Sequence, residues 1–114
     1  MIRTALATLI LAVSATASLA HSKPEDTTPV NDTTVEVVDV ISIRFNDPMR
    51  VTAITMTGPN GAVDVDRETG LEPVTEFLAA PAAAIPAGVY AVEWRGLSAD
   101  GHPMQGTFGF TVSE

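Results

Sequence analysis

The amino-acid sequence predicts an all-β domain, a sandwich or barrel of about seven short strands. Three observations lead to this prediction. Apolar and polar residues alternate along several segments, β-branched residues are frequent in them, and turn residues separate them at close spacing. Such alternation predicts antiparallel sheets with one buried face and one hydrated face. The chain has no cysteine, so apolar packing rather than disulfide bonds must hold this domain together.

The first half of the chain begins with a polar segment, residues 21–34, which we expect to form an extended arm. Four strands are predicted after it, at residues 35–38, 40–45, 51–57 and 62–65. The Asn-Asp-Pro sequence at residues 46–48 predicts a turn between the second and third of these strands. The Gly-Pro-Asn-Gly sequence at residues 58–61 predicts the turn of a hairpin between the third and fourth.

The second half of the chain contains the clearest alternation. Residues 66–75 are charged and irregular and predict a loop, whereas residues 77–79 predict a short strand. An alanine run between Pro81 and Pro86 is too short for a stable helix and is bracketed by prolines. Two longer strands are predicted at 89–95 and 105–112, and their core-facing residues are Tyr90, Val92, Trp94, Phe108, Phe110 and Val112.

Residues 1–20 have the layout of a cleavable export signal. Arg3 provides a short positive start, and the apolar core at residues 5–13 is shorter than the roughly 20 residues of a transmembrane helix. Ser18-Leu19-Ala20 fits a small-x-small cleavage site. Cleavage there leaves an exported domain of residues 21–114 that carries no membrane anchor.

The chain is acidic, with 14 Asp and Glu residues against six Lys and Arg residues and a formal net charge of −8. No basic cluster occurs along it. Nucleic acids and anionic membrane surfaces carry negative charge, so both are poor partners for such a chain. Cations are the favoured partners, although dispersed acidic residues also serve solubility.

Histidine occurs at two positions, His21 and His102. Cleavage after Ala20 would give His21 a free α-amine, and this amine and the ring Nδ1 can close a six-membered chelate ring on a metal ion. A second cleavage pattern, Ala15-Thr16-Ala17, stays open; it would start the protein at Ser18 and remove that chelate.

The Asp100-Gly101-His102 segment offers a carboxylate and the second imidazole. In extended backbone, residues i and i+2 point to the same side, so Asp100 and His102 are expected to face one metal ion. Three nitrogens and one carboxylate oxygen in a plane suit tetragonal Cu(II). The sequence therefore predicts one Cu(II) per chain, held by His21, Asp100 and His102.

Methionine offers a softer alternative, since clustered thioethers favour Cu(I). Met49, Met56 and Met104 are scattered, and Met56 is expected to fill the core. Met104 lies close to His102, so its participation in a Cu(I) site stays open. The chain has no Gly-x-Ser-x-Gly sequence, no phosphate loop and no cysteine nucleophile. We therefore expect no enzymatic activity.

Residues 92–106 carry the most specific motif of the chain, Val-Glu-Trp-Arg-Gly-Leu-Ser-Ala-Asp-Gly-His-Pro-Met-Gln-Gly. This segment resembles the V-x-W-x-x-x-S-x-D-x-H-x-x-x-G signature of the CopC family of copper-binding proteins. Weaker matches lie at His21-Ser22-Lys23, Pro29, Ile43-Arg44-Phe45 and Pro86-Ala87-Gly88-Val89-Tyr90. The resemblance extends over essentially all of residues 21–114.

The resemblance implies an immunoglobulin-like Greek-key sandwich or barrel. It also implies a Cu(II) site built from the amine and ring of His21, the Asp100 carboxylate and the His102 ring. The implied role is periplasmic copper binding, delivery or resistance, often beside CopD, an inner-membrane protein of copper import, and we expect a monomer. Two departures from the family pattern occur: Thr57-Gly58-Pro59-Asn60-Gly61 stands where a methionine-rich Cu(I) loop would lie, and Pro24 replaces a leucine.

Two alternatives to a non-catalytic Cu(II) carrier stay open. The first is a copper-dependent oxidative enzyme of the monooxygenase kind, which also uses an N-terminal histidine chelate. In such an enzyme, Asp100 would occupy a position that oxygen or substrate requires. The second is a metal-free structural or adhesive sandwich domain, which would bind its partner without copper.

Overall fold

The computed structural model describes residues 26–114, which form eight β-strands and, within that range, no helix. In chain order the strands are β1 (Asp26–Thr28), β2 (Thr33–Val35), β3 (Ile41–Gly58), β4 (Gly61–Val63), β5 (Val65–Arg67), β6 (Val74–Pro81), β7 (Gly88–Ser98) and β8 (Pro103–Val112). This part of the chain therefore has no helix of the length and apolar character needed to cross a membrane. The prediction of an all-β sandwich is confirmed, with eight strands in place of about seven.

The fold is organised around β3, which has 18 residues. Its first part pairs antiparallel with β6 and its second part with β7. Met49, between the two parts, faces Val74 of β6 on one edge and Ser98 of β7 on the other. The main path of the sheet is β2-β8-β7-β3-β6-β5, with β1 and β4 also paired to β3. Because β3 serves both halves of the sheet, the strands enclose one core.

The core consists of side chains from the inward faces of β3, β6, β7 and β8, together with Val38 between β2 and β3. Trp94 packs edge-to-face on Phe45 with 5.1 Å between ring centroids, and Tyr90 stacks on Phe110 at 5.5 Å. The predicted alternation of β7 and β8 is confirmed, because every residue expected on their inward faces is buried. Among residues 26–114 no polar or charged residue is buried, so this core is held by apolar packing.

The turn predicted at Asn46-Asp47-Pro48 is wrong, because β3 runs through it without a break. The register of β3 against β6 shifts between Arg44 and Met49, so residues 46–48 form an irregularity in the ladder. Such a bulge leaves residues outside the regular pairing, which accommodates a proline that has no N–H to donate. The side chains of the three residues are exposed, so the polar sequence stays in solvent although the strand continues.

Two short strands occupy the described part of the region that we expected to be an extended arm. β1 pairs with β3, and β2 pairs in parallel with β8, which is an exception to the antiparallel pairing expected throughout. The strand predicted at residues 35–38 is wrong for most of its length, since β2 ends at Val35, although Val38 is buried. Strands this short are set by their partners rather than by an alternating pattern of their own.

The hairpin predicted at residues 58–61 is confirmed, with β3 and β4 joined through Pro59 and Asn60. Gly61, at the start of β4, has a φ of +101°, a conformation that favours glycine. Residues 66–75, predicted as a loop, contain the end of β5 and the beginning of β6. The alanine run between Pro81 and Pro86 is not helical, in agreement with the prediction.

Candidate metal centre

Asp100 and His102 lie in the loop that joins β7 to β8. The Gly101 N–H donates a hydrogen bond to the Ser98 carbonyl at 2.9 Å, and the Ser98 N–H donates to the His102 carbonyl at 3.0 Å. Gly101 has a φ of +82°, in the left-handed region that glycine adopts without steric cost. The loop is therefore a short hairpin connection in which a left-handed residue follows a turn, and backbone hydrogen bonds fix its shape.

This loop brings the two predicted ligands into contact. His102 Nδ1 lies 2.7 Å from Asp100 Oδ2. We expected the two side chains to meet through extended backbone, but they meet through the turn at Ala99 and Asp100 and the left-handed Gly101. This distance is that of a hydrogen bond to an ionised carboxylate, which holds the carboxylate and the imidazole side by side.

Ser98 holds the pair in place, and the sequence analysis did not single it out. Its hydroxyl donates a hydrogen bond to Asp100 Oδ1 and accepts one from the His102 N–H at 3.1 Å. One side chain therefore fixes both the carboxylate and the histidine backbone. The sequence offered one indication of this role, because Ser98 belongs to the most specific motif. A serine shortly before Asp-Gly is, however, equally typical of a simple turn.

The pair is accessible, and its carboxylate is ready for metal binding. The exposed fraction of the side chain is 67% for His102 and 69% for Asp100. The hydrogen bond from Ser98, followed by the one from His102, lowers the pKa of Asp100 from 3.8 to about 2. The carboxylate is therefore ionised at neutral pH. Because His102 Nδ1 faces Asp100, its Nε2 is the ring nitrogen that points away from this hydrogen bond.

Asp100 and His102 do not form a complete metal site by themselves. Within residues 26–114, no third His, Cys, Asp or Glu side chain joins them in a group that could hold a metal ion. His21, the other predicted ligand, lies outside the described residues. The described pair thus offers one oxygen and one nitrogen ligand, and His21 is the other histidine of the sequence.

Two concavities flank the loop. The larger has a volume of about 780 Å³, and among its lining residues are Arg95, His102, Met104, Gln105 and Thr107. The smaller has a volume of about 220 Å³ and is lined by Pro48, Arg50, Pro73, Leu97, Ser98, Ala99 and Gly101. Each concavity therefore borders the loop and includes one arginine.

The three methionines of the described range lie in different surroundings. Met49 and Met56 are buried, which confirms that Met56 fills the core. Met104 is half-buried, packs against the same core and lines the larger concavity together with His102. A Cu(I) site at Met104 stays a prediction.

The chain is similar to proteins of known family. A family model described as the CopC domain matches residues 24–113. Copper resistance protein C of Escherichia coli is 30% identical to it over 91% of this chain and 90% of that protein. The solved structure of PcoC, a methionine-rich copper resistance protein from Escherichia coli, matches with a TM-score of 0.68 at 28% identity, over 82% of this chain and 100% of that one. CopC from Methylosinus trichosporium OB3b matches with a TM-score of 0.65 at 26% identity, over 77% and 89%.

These similarities extend over the whole described fold. The range matched by the family model contains all eight strands and the loop that carries Asp100 and His102. The Escherichia coli relative aligns over nearly the full length of both chains, and the two solved structures share the fold. The chain belongs to the CopC family.

Proposed function

We propose that this protein binds one Cu(II) ion in the periplasm through the α-amine and ring of His21, the Asp100 carboxylate and the His102 ring. It carries or sequesters copper for homeostasis, resistance or delivery to a CopD-like inner-membrane protein, as a monomer and without catalysis. The observation that carries this proposal is the 2.7 Å contact between His102 Nδ1 and Asp100 Oδ2. The names of the Escherichia coli relatives, which are copper resistance proteins, support it.

The position of β1 supports the role of His21. β6 occupies one edge of β3 beside Ser42 and Arg44, so β1 lies along the other edge. Further along β3, this second edge is occupied by β7, whose Ser98 faces Met49. Because β1 runs antiparallel to β3, its N-terminal end at Asp26 points toward Ser98 and the loop with Asp100 and His102.

The connecting segment is long enough for His21 to reach the loop. Five steps along the chain lead from Asp26 to His21, and five lead from Arg44, which faces Asp26, to Met49, which faces Ser98. An extended chain spans about 3.3–3.6 Å per residue, so the two distances are comparable. The entropic cost of closing so short a loop is modest, and metal binding offsets it.

The proposed ligand set suits Cu(II) near neutral pH. An α-amine has a pKa of about 8 and an imidazole a pKa of about 6.5, so both lose a proton at modest cost. Asp100 is already ionised and neutralises one of the two charges of the metal ion. Copper binding is therefore expected to release protons and to weaken on acidification. A carboxylate in the ligand plane occupies a position that oxygen activation would need, which favours carriage over oxidative catalysis.

The amino terminus provides the sharpest test. One protein begins at His21, and a second begins at an acetylated His21, in which the α-amine is an amide and the imidazole is intact. We expect one Cu(II) per chain for the first protein in calorimetric titration and an affinity more than about tenfold lower for the second. Loss of even an outer partner of a metal ligand typically weakens binding by about 10–100-fold.

Further variants test whether Cu(II) binds at this site or to exposed acidic residues in general. Asp100→Ala and His102→Ala are expected to weaken Cu(II) binding, whereas Asp66→Ala, which removes an exposed carboxylate in β5, leaves it unchanged. Equal affinity with and without the acetyl group would refute the role of the His21 α-amine. Reductant-dependent oxygen consumption by the copper-loaded protein would favour the oxidative enzyme instead.

A further inference from the structure

Two arginines lie on the outer face of the sheet beside the loop with Asp100 and His102. Arg50 of β3 faces Leu97 of β7, and Arg95 is two residues from Leu97 on the same exposed face of β7. Arg50 lines the smaller concavity, and Arg95 lines the larger one. We call Arg50, Leu97 and Arg95 the arginine face.

The two arginines differ from the others of the described chain in having no protein partner. Arg44 forms an ion pair with Glu76, with 3.9 Å between Nη2 and Oε2. The guanidinium of Arg67 donates hydrogen bonds to three backbone carbonyls. Within residues 26–114 the guanidinium groups of Arg50 and Arg95 make neither a hydrogen bond nor an ion pair. Their charge is therefore directed to solvent.

This placement is unusual for a chain with 14 acidic residues and six basic ones. Glu93 lies on the same face of β7, but on the side of Arg95 that is farther from the loop. On β7, Arg95 is therefore the charged residue of this face that lies nearest to the loop. Leu97, between the two arginines, is 37% exposed and adds an apolar contact.

We propose that the arginine face docks an acidic segment of a protein partner that exchanges copper with the loop. This inference rests on the proposed Cu(II) site, and charge complementarity selects the partner. Guanidinium groups bind carboxylates in forked pairs, whereas the acidic remainder of the surface repels them. Docking at this face brings the partner's own copper ligands to the side of Asp100 and His102.

Bound copper should strengthen this docking. Without metal, the Asp100 carboxylate places a negative charge next to the arginine face. At neutral pH, Cu(II) held by this carboxylate and by nitrogen ligands adds two positive charges and displaces about one proton, mostly from the α-amine, so the local charge becomes more positive. The copper-loaded protein is therefore the form that attracts an acidic segment more strongly, which favours a loaded donor over an empty one.

A synthetic peptide provides the test. The probe is a fluorescein-labelled, acetylated octapeptide of alternating Asp and Glu, titrated with the protein that begins at His21 and followed by fluorescence anisotropy at low ionic strength. We expect it to bind the copper-loaded protein more tightly than the empty protein, and more tightly than an Asn and Gln peptide of equal length binds. Added salt should weaken the complex.

Charge reversals locate the contact. Arg50→Glu and Arg95→Glu are each expected to weaken peptide binding by about tenfold. Arg44→Glu changes the net charge equally on another part of the sheet and is expected to change binding by less than about twofold. Equal binding of the acidic and amide peptides, or equal losses in all three variants, would overturn the proposal. If a reversal fails to fold, the three Arg→Gln variants give the same comparison.

Copper titration of the same variants keeps the two proposals apart. Arg50→Glu and Arg95→Glu should still bind one Cu(II) per chain, because neither side chain is a ligand. If the unmodified protein did not bind Cu(II), the proposed function would be refuted. In that case the arginine face would still be supported if the metal-free protein bound the peptide and Arg50→Glu, but not Arg44→Glu, weakened this binding. If the metal-free protein did not bind the peptide, both proposals would be refuted.

Discussion

The hydroxyl group of Ser98 shows how much a single residue contributes to the loop between β7 and β8. It donates a hydrogen bond to Asp100 Oδ1 and accepts one from the backbone of His102. The second of these contacts anchors the backbone of one proposed ligand, and the first fixes the side chain of the other. Ser98 is therefore a positioning residue rather than a ligand.

Ser98→Ala removes the largest contribution to the low pKa of Asp100. We expect this pKa to rise from about 2 toward its ordinary value of 3.8, and Cu(II) affinity to fall by about tenfold because the ligands lose their support. An NMR titration of the Asp100 carboxyl and a competition titration with a copper chelator measure the two effects. Ser42→Ala, in the first part of β3, serves as the control.

The same variant should change the pH dependence of stability in the metal-free protein. The folded-state pKa of Asp100 lies below its ordinary value, so its contribution is present above about pH 3.8 and is lost as the pH falls toward 2. Ser98→Ala should therefore lose less stability than the parent over this interval. An unchanged Asp100 pKa in the variant would show that Ser98 does not hold the carboxylate.

Individual residues differ in how far sequence predicts them. Asp100 and His102 could be selected because carboxylate and imidazole are recognisable metal ligands and their spacing keeps them close. The conformation that joins them could not, because extended and turn backbones both place residues i and i+2 near each other. The turn forms because Gly101 adopts a φ of +82°, which is not an extended conformation.

At the scale of elements, β3 shows where local sequence misleads. Asn-Asp-Pro is typical of a turn, yet residues 46–48 lie inside a strand of 18 residues. Pairing with β6 on one edge and β7 on the other keeps the strand continuous across its irregularity. These partners lie far away in the sequence, so no local pattern reports them. The strands β7 and β8 were predictable because their alternation extends over many residues.

The packing of β8 on β7 leads to a stability prediction at Gly106. A Cβ at this position would lie 2.5 Å from Nε1 of Trp94, which is buried. Gly106→Ala therefore forces the indole ring to shift and should lower the free energy of unfolding by about 1–3 kcal/mol. Urea unfolding followed by the fluorescence of the single tryptophan measures this change.

A matched control for Gly106→Ala lies next to it on β8. Thr107→Ala alters an exposed side chain and should change the free energy of unfolding by less than about 0.5 kcal/mol. If Gly106→Ala were as harmless as Thr107→Ala, the close contact between β8 and Trp94 would not limit the side chain at this position.

At the scale of the whole molecule, periodicity predicted the class of fold and the composition of the core. The strand order was not predictable, because β2 joins β8 in parallel through a three-residue strand and β1 joins β3 across the edge next to β7. These pairings decide where the N-terminal end of β1 points. They therefore connect the topology of the sheet to the proposed role of His21.

We expect copper to stabilise the whole domain more strongly when the α-amine of His21 is free to chelate. At a free copper concentration about 100 times the Kd, binding adds about 2.7 kcal/mol to the free energy of unfolding. For a domain of this size we expect the Tm to rise by about 10 °C or more. Calorimetric scans of the protein that begins at His21 measure the rise, and a chelator such as EDTA should reverse it. A rise of equal size in the protein that begins at acetylated His21 would contradict the chelate.

The core of residues 26–114 contains no buried charged side chain, which has a consequence for the metal-free protein. No buried charge in this range needs a metal ion to neutralise it. We therefore expect folding of the domain and binding of copper to be separate events. We therefore expect the metal-free chain to reach the same shape where the metal is scarce. Scarcity then lowers the share of copper-loaded molecules, and we expect the empty ones to stay folded with a smaller free energy of unfolding.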